Sequence, residues 1–267
     1  MMLFIKPPLS VYKNIPQDYH YAEEVSTRTY TEYNYLRPGF ASWIKLRHFE
    51  VCLRLTRSYF GKCSVIDFGC ADGIFLPSLS KYFKNVVGID QRQDFITISS
   101  TLINSLKLTN VHLICNDNIT MDGLRNMLPQ DRYGILYLLE TIEHVGERDS
   151  PWEGRITFLK SLTMLLDPES PIVLSVPNMV GISFLLQRIG LALLRAHREP
   201  ISLQNLLKAS LLNNTKELEQ QWDGPQLGRH LGFNHIQLER HMRNHFHIAK
   251  KSSTVFQTIY VLRRNTY

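Results

Sequence analysis

Directly after the apolar run Ile135-Leu-Tyr-Leu-Leu139, the chain reads Glu140-Thr-Ile-Glu143-His144-Val145. Two carboxylates and an imidazole within five residues support three kinds of chemistry. If the segment turns helical, Glu140, Glu143 and His144 stand at i, i+3 and i+4 and share one face. Such a face can bind a divalent cation. Carboxylates suit a hard ion such as Mg²⁺, and a histidine leans the choice toward Zn²⁺ or Mn²⁺. Without a metal, His144 beside Glu143 is a general base for a hydroxyl. The third reading is only the polar end of a buried strand.

A second constellation lies upstream in Val65-Ile-Asp-Phe-Gly-Cys-Ala-Asp-Gly-Ile-Phe75. It reads as strand, glycine turn, helix. Gly69 and Gly73 let the backbone pass close to a ligand at the carboxyl end of the strand, where open α/β sheets bind ligands. Asp67 sits at the edge of the turn, placed to accept from a ligand ammonium. Asp90, with Gln91 beside it, ends the next apolar run 17 residues after Gly73. An acid at the tip of the second strand suits ribose hydroxyls. Asp117, in Asn-Asp-Asn after a third strand, is a candidate partner for an exocyclic amine. A nicotinamide dinucleotide fold would want G-x-G-x-x-G, which this turn does not supply.

The elements that must position these groups alternate regularly. Strands are expected at Ser64–Phe68, Asn85–Asp90, Val111–Cys115, Tyr133–Leu139 (longer and more apolar than the first three) and Pro171–Pro177. Helices are expected at Ile74–Phe83 and Asp94–Leu106. Another runs from Pro151 to about Leu166, with Ser150 as cap and Glu153 completing a capping box. Short buried strands alternating with helices predict a parallel sheet covered on both faces. Ahead of them, residues 1 to about 35 read as an irregular arm. Phe40–Phe60 carries Ile44, Phe49, Val51, Leu53 and Leu55 at helical spacing. After Asn178 the rhythm breaks into the apolar stretch Val180–Leu194, the polar stretch Glu199–Gln221, a helix over Asn234–Phe246 and a late strand over Ser253–Arg264. His235, His241, His245 and His247 are expected on a solvated helix face and a strand end.

The turn Asp67-Phe-Gly69-Cys70-Ala71-Asp72-Gly73 resembles the first motif of the class I S-adenosylmethionine (SAM) methyltransferases, roughly D-x-G-C-G-x-G. Ala71 stands where a glycine is common. The resemblance covers about residues 62–178. It implies a Rossmann-like α/β fold: a seven-stranded, mostly parallel sheet with helices on both faces, an N-terminal helical arm and a helical cap. The corresponding segments are 1–61 (arm and helix), 62–178 (SAM-binding core), 179–222 (cap) and 223–267 (C-terminal helix and strands). By this resemblance Asp67, Gly69 and Gly73, with Cys70 in the same turn, hold the amino-acid end of SAM. Asp90 and Gln91 hold the ribose, and Asp117 lies near adenine.

Within that family, "ETIEHV" resembles the ExxEH of ubiquinone-biosynthesis O-methyltransferases and of small-RNA 3′-terminal 2′-O-methyltransferases. The resemblance implies a divalent metal (Mg²⁺, Mn²⁺ or Zn²⁺) near the acceptor oxygen, held by Glu140, Glu143 and His144. His230, well downstream, stands where the RNA-modifying branch has a further ligand. Many other relatives keep only the Glu–His pair, so Glu143 and His144 also stand as catalytic acid/base candidates. Gly134 replaces an acid usual in the family, a departure placed at the start of the strand. Asn178 in Leu-Ser-Val-Pro-Asn is expected to face the substrate.

The apolar stretch 180–198 falls where this family adds acceptor-binding segments. It can bury against the main domain, form a hydrophobic lid, or dip into a bilayer surface with Arg188, Arg195 and Arg198 near lipid phosphates. About 16 residues of helix span only about 24 Å, too little to cross a membrane.

The reading is a SAM-dependent methyltransferase acting on a hydroxyl, less readily an amine, of a small or lipid-like acceptor. The alternatives are a metal-dependent RNA 2′-O-methyltransferase and a SAM-binding scaffold without turnover. Composition is compatible with each. The 267 residues carry 30 Lys and Arg against 24 Asp and Glu, a net charge of +6, which permits an anionic partner without requiring one. The basic residues are scattered, so nucleic acid is not favoured. Four cysteines (Cys52, Cys63, Cys70, Cys115) make no CxxC pair and no disulfide framework. The N-terminus lacks the pattern of a signal peptide. A cytoplasmic protein is expected, with room for peripheral membrane contact.

Overall fold

A computed structural model describes residues 2–13, 29–36, 40–117, 119–146, 151–193, 201–219 and 230–265. Seven strands form one sheet in the order β3-β2-β1-β4-β5-β7-β6. These are β1 (Val65–Phe68), β2 (Val86–Asp90), β3 (Val111–Cys115), β4 (Ile135–Leu139), β5 (Ile172–Pro177), β6 (Phe246–Ser253) and β7 (Gln257–Arg264). β1 pairs in parallel with both β2 and β4, β2 pairs in parallel with β3, and β6 pairs antiparallel with β7. This is the expected Rossmann-like α/β sheet. The chain divides into two compact units, residues 1–139 with 163–173 and residues 140–162 with 174–267.

In the first unit, every residue of β1, β2 and β4 is buried. Strands covered on both faces need no alternation, which is why "ILYLL" reads as a continuous apolar run and "VIDF" is broken only by Asp67. The helices of this unit are α1 (Leu9–Lys13), α2 (Phe40–Leu55), α3 (Leu76–Tyr82), α4 (Gln93–Leu106) and α5 (Met121–Met127). A ladder of rings joins α2 to the sheet: Phe49 lies 5.0 Å from Phe75, and Phe75 lies 5.3 Å from Tyr137 of β4. Tyr137 keeps its hydroxyl satisfied at 2.7 Å from the Thr56 hydroxyl.

Three expectations change here. The arm is not irregular throughout. Glu50 of α2 accepts from the backbone N–H groups of Leu3 and Phe4, Ser78 accepts from that of Ile5, and Tyr12 packs with Leu36, Ile98 and Leu102. The fourth strand is five residues, longer than β1 but shorter than β5, and Tyr133 ahead of it makes an isolated parallel bridge to Leu166. A Cβ on Gly134 would lie 2.4 Å from the Cys63 Cβ, so the missing acid concerns packing at the strand's start. Lastly, α5 occupies a stretch to which no element was assigned. Thr120 caps it by accepting from the Gly123 N–H.

The second unit contains α6 (Pro151–Leu162), α7 (Ile182–Leu193), α8 (Leu203–Leu212), α9 (Lys216–Glu219) and α10 (His235–Arg243). The stretch read as polar is therefore largely helical. Ser150, Arg195 and Arg198 lie outside the described residues. α7 packs on α8 around a cluster of Phe184, Ala209 and Leu218. Arg188 is only 7% exposed and sits over the Phe184 ring, so it is not available to a lipid phosphate. The opposite side of the pair is bare: Ile182, Leu186, Ile189 and Leu193 of α7 and Leu203, Leu207, Leu211 and Leu212 of α8 are all exposed. The basic stretch near Lys250 forms β6, a terminal strand of the sheet, where exposed lysines guard an edge against further pairing. No helix among the described residues is long and apolar enough to cross a membrane.

Candidate functional site

β1 delivers Asp67 opposite Gly88 of β2, and the chain then turns sharply. The N–H groups of Gly69 and Cys70 both donate to the Ile89 carbonyl, at 2.8 and 3.0 Å. Gly69, Ala71 and Gly73 all take the left-handed conformation, with φ of 77°, 47° and 86°. Glycine suits two of these positions. At Gly73 a Cβ would also press within 2.8 Å of the Ser99 hydroxyl. Ala71 is held in its unfavourable conformation from both sides. Its N–H donates to Asp90 (2.9 Å) and its carbonyl accepts from Ser99 (3.0 Å). Asp90 therefore ties β2 to the turn, and its other oxygen accepts from the Arg92 N–H.

Asp67 is buried, and no described residue donates a hydrogen bond to its carboxylate. Burial first, and the nearby charge of Asp90 second, push it up to about 7. A buried carboxylate at the carboxyl end of β1 fits a ligand's ammonium group. Burial also pushes the Cys70 thiol up, with Asp90, Asp67 and Asp72 adding to the effect, so Cys70 stays a neutral lining group. Gln91 and Asp117 are both exposed. They stand just beyond the paired ends of β2 and β3, where the Asn116 N–H donates to the Asp90 carbonyl.

Asp72 had no assigned role, yet it is completely buried. Its carboxylate accepts from the backbone N–H of Thr31 at 2.6 Å and from the Thr31 hydroxyl. The N-terminal arm is thereby fastened to the glycine turn. Burial raises Asp72 to about 6 against the opposing pull of the Thr31 hydrogen bonds. The sequence signal was a charged residue inside an otherwise apolar turn. Its partner, 41 residues away, left no local trace.

In the second unit, Glu140 follows β4 in the left-handed conformation, φ 51°. Its N–H donates to the Ser175 carbonyl and one carboxylate oxygen accepts from the Ser175 hydroxyl, both at 3.0 Å. A strained non-glycine residue of this kind concentrates at functional positions. A single 3₁₀ turn follows, Ile142–His144. It brings Glu143 and His144 together with His230, each offering a ligand atom within 4.8 Å of the others. Glu143 approaches His230 Nδ1 at 3.6 Å, and the two imidazole rings lie 5.1 Å apart. Both Glu143 oxygens are buried without a hydrogen-bond donor among the described residues. Burial first, then the charge of Glu140, hold its carboxyl well above the usual range. One carboxylate and two imidazoles are a donor set for Zn²⁺ or Mn²⁺. The orphaned carboxylate oxygens fit a cation there. Glu140 is not part of this trio.

Arg155 of α6, absent from the sequence reading, binds the same turn. It donates to the carbonyls of Ile142, Glu143 and Val145 at 3.0–3.2 Å. Asn178 does not present its amide to a substrate. Its Oδ1 accepts from Thr258 and its Nδ2 donates to the Thr254 carbonyl. His235 is half-buried, not on an open face: burial first, then the charge of Lys251, hold it down at about 4. His241 stacks on Trp152 with centroids 5.6 Å apart.

A mostly parallel α/β sheet with a glycine turn after β1, an acid at its edge and a second acid ending β2 is the arrangement of the class I SAM-dependent methyltransferase fold. A family model described as a methyltransferase domain matches residues 37–217, and the chain belongs to that family. It is 28% identical over 157 residues to a ubiquinone biosynthesis O-methyltransferase of Bradyrhizobium diazoefficiens, covering 59% of this chain and 56% of that protein. The chain thus spans little more than half the length of that relative. Over 70 residues it is 34% identical to a tRNA (guanine-N(7)-)-methyltransferase of Synechococcus, covering 25% of this chain and 30% of that one. A SAM-dependent methyltransferase from Aquifex aeolicus shares the fold at a TM-score of 0.51 and 13% identity, over 84% of this chain and 98% of that one.

Proposed function

We propose that the protein transfers the methyl group of SAM to a hydroxyl of a small, lipid-like acceptor. The observation that carries the reading is the trio formed by Glu143 and His144, on the turn that follows β4, with His230 from a later segment, in a chain with an intact cofactor turn. SAM supplies an electrophilic methyl, so the protein's tasks are alignment and removal of a proton. Asp67 holds the ammonium end of the cofactor and Asp90 the ribose, with Gln91 and Asp117 beyond. Glu143, His144 and His230 hold the acceptor hydroxyl and take up its proton. A divalent cation on the same three side chains would lower the pKa of that hydroxyl. Glu140, set by Ser175, adds negative charge beside Glu143.

Two observations support an apolar acceptor. The matched Bradyrhizobium relative is named for ubiquinone biosynthesis. The bare faces of α7 and α8 give this chain an apolar surface with no acidic residue in either helix. That surface suits peripheral contact with a bilayer, where such acceptors dissolve.

The test is a transfer assay with methyl-labelled SAM against a panel of catechols, lipid-tailed phenols and short RNAs. Label in an ether of an apolar phenol is the expected result. Glu143→Ala should lower turnover by about 100-fold or more while S-adenosylhomocysteine (SAH) affinity stays at the wild-type value. Turnover that survives both Glu143→Ala and His144→Ala would remove the trio from the reaction. Label found only in RNA would overturn the acceptor class.

A further inference from the structure

We propose that Arg155 is a positioning residue that sets the spacing between the two halves of the Glu143–His144–His230 trio. This rests on the reading of the trio as the acceptor side of the active site. The problem it solves is visible in the backbone. Glu143 and His144 stand on one 3₁₀ turn, between Glu140 at φ 51° and Gly146 at φ 106°. His230 comes from a separate segment 87 residues beyond Glu143. Neither half lies in a strand or an α-helix, so neither inherits its position from a regular ladder.

Arg155 touches both. It is 4% exposed. Its Nε donates to the carbonyls of Ile142 (3.2 Å) and Val145 (3.0 Å), and Nη2 donates to that of Glu143 (3.1 Å). The whole turn is thus pinned from one side. The same guanidinium lies over the ring of Trp152 at 4.7 Å and over that of Phe233 at 5.1 Å. The Phe233 N–H in turn donates to the His230 carbonyl at 3.1 Å. One rigid, planar cation therefore fixes the turn by hydrogen bonds and the His230 segment through a ring.

Arginine is required by the geometry. Burying a guanidinium is costly unless its donors are satisfied, and here three carbonyls and two ring faces offset the loss of water. A lysine carries its charge on one nitrogen and cannot span three carbonyls while stacking on a ring. Outer groups of this kind, which hold the groups that touch a ligand, change metal affinity by about 10- to 100-fold when removed.

The experiment uses the full chain with Arg155→Lys, and Phe233→Leu as a second variant. SAH affinity should match wild type in both, and cooperative urea unfolding reports that the second unit is folded. The imidazole ring signals of His144 and His230 are followed by NMR, with exposed His112 on β3 as reference. In Arg155→Lys both signals should move while His112 stays. In Phe233→Leu only His230 should move. Zn²⁺ and Mn²⁺ titrations should show affinity at least about tenfold weaker in each variant. If wild type binds neither ion, the metal part of the functional reading fails, and the ring signals still decide the role of Arg155. Unmoved His230 in Arg155→Lys, or unmoved His230 in Phe233→Leu should the lysine variant not fold, overturns the inference.

Discussion

On the proposed reading, Asp67 trades stability for cofactor binding. Its carboxyl is raised to about 7 in the folded protein, against an ordinary value near 4. Between about pH 4 and 7 the folded chain then holds a proton that the unfolded chain has lost. Stability of the cofactor-free protein therefore falls as pH rises through that window. Asp67→Asn should melt at a higher temperature than wild type at pH 8, as read by calorimetry. The same variant should bind SAH at least about tenfold more weakly, the cost of a charge-assisted hydrogen bond. In wild type, SAH affinity should weaken as pH falls below about 7, where Asp67 is protonated and no longer pairs with an ammonium. In the asparagine variant that pH dependence should vanish. A wild-type affinity flat from pH 8 to 5.5 would contradict the assignment. Ala71 makes the opposite case. Its φ of 47° costs an alanine about 1 kcal/mol that a glycine would not pay. Ala71→Gly should therefore leave thermal stability unchanged or raised, the unfolded chain's greater freedom offsetting part of the gain.

At the scale of elements, caps and faces govern behaviour. Asn234 caps α10 by accepting from the N–H groups of Ile236 and Gln237. Its Nδ2 also donates to the Asn213 carbonyl and the Thr215 hydroxyl. Removing a cap costs about 1 kcal/mol, and stranding buried partners adds about 1–3 kcal/mol. Asn234→Ala should therefore be among the more damaging single changes in the second unit, measured by urea unfolding. The α7–α8 pair behaves differently, because its outward leucines contribute little to folding. Leu186→Asp with Leu207→Asp should leave the melting temperature within about 2 °C. The pair should abolish co-sedimentation with anionic vesicles, if that face is the one that meets a bilayer. Pelleting equal to wild type would assign the contact elsewhere.

At the scale of the whole molecule, the two sets of candidate groups belong to different compact units. Asp67, Asp72 and Asp90 fall in the first, and Glu140, Glu143, His144 and His230 in the second. Each ligand should therefore protect its own segments in hydrogen exchange. SAH should slow exchange in residues 65–75 and 86–92. Zn²⁺ should slow it in 140–146 and 230–236. Protection by Zn²⁺ confined to residues outside the second set would locate the cation elsewhere. The arm belongs to the same account. Thr31 donates to Asp72 in the glycine turn, so SAH should also slow exchange around residues 29–36.

What was legible in the chain was whatever depended on neighbours in sequence. Buried parallel strands write themselves as short apolar runs, and a strand–glycine–helix turn needs its residues consecutively. Asp67, Gly69, Gly73 and Asp90 could be named for that reason, as could the short stretch holding Glu143 and His144. The helix α5 was missed because seven residues are too few for a clear period, although Thr120 was an available cap. Other features were decided only by tertiary structure, since they join residues far apart in sequence. Asp72 meets Thr31, Glu143 meets His230, and Arg155 holds both the turn and Phe233. Whether an apolar helix is buried is likewise a property of its surroundings. The composition of α7 allowed either outcome, and packing against α8 covered Phe184 and Arg188 while leaving Leu186 and Leu193 bare. Sequence determined which groups exist and which stand next to one another along the chain. The fold determined which carboxylates lose water, and so which of them are left to find a partner in a ligand.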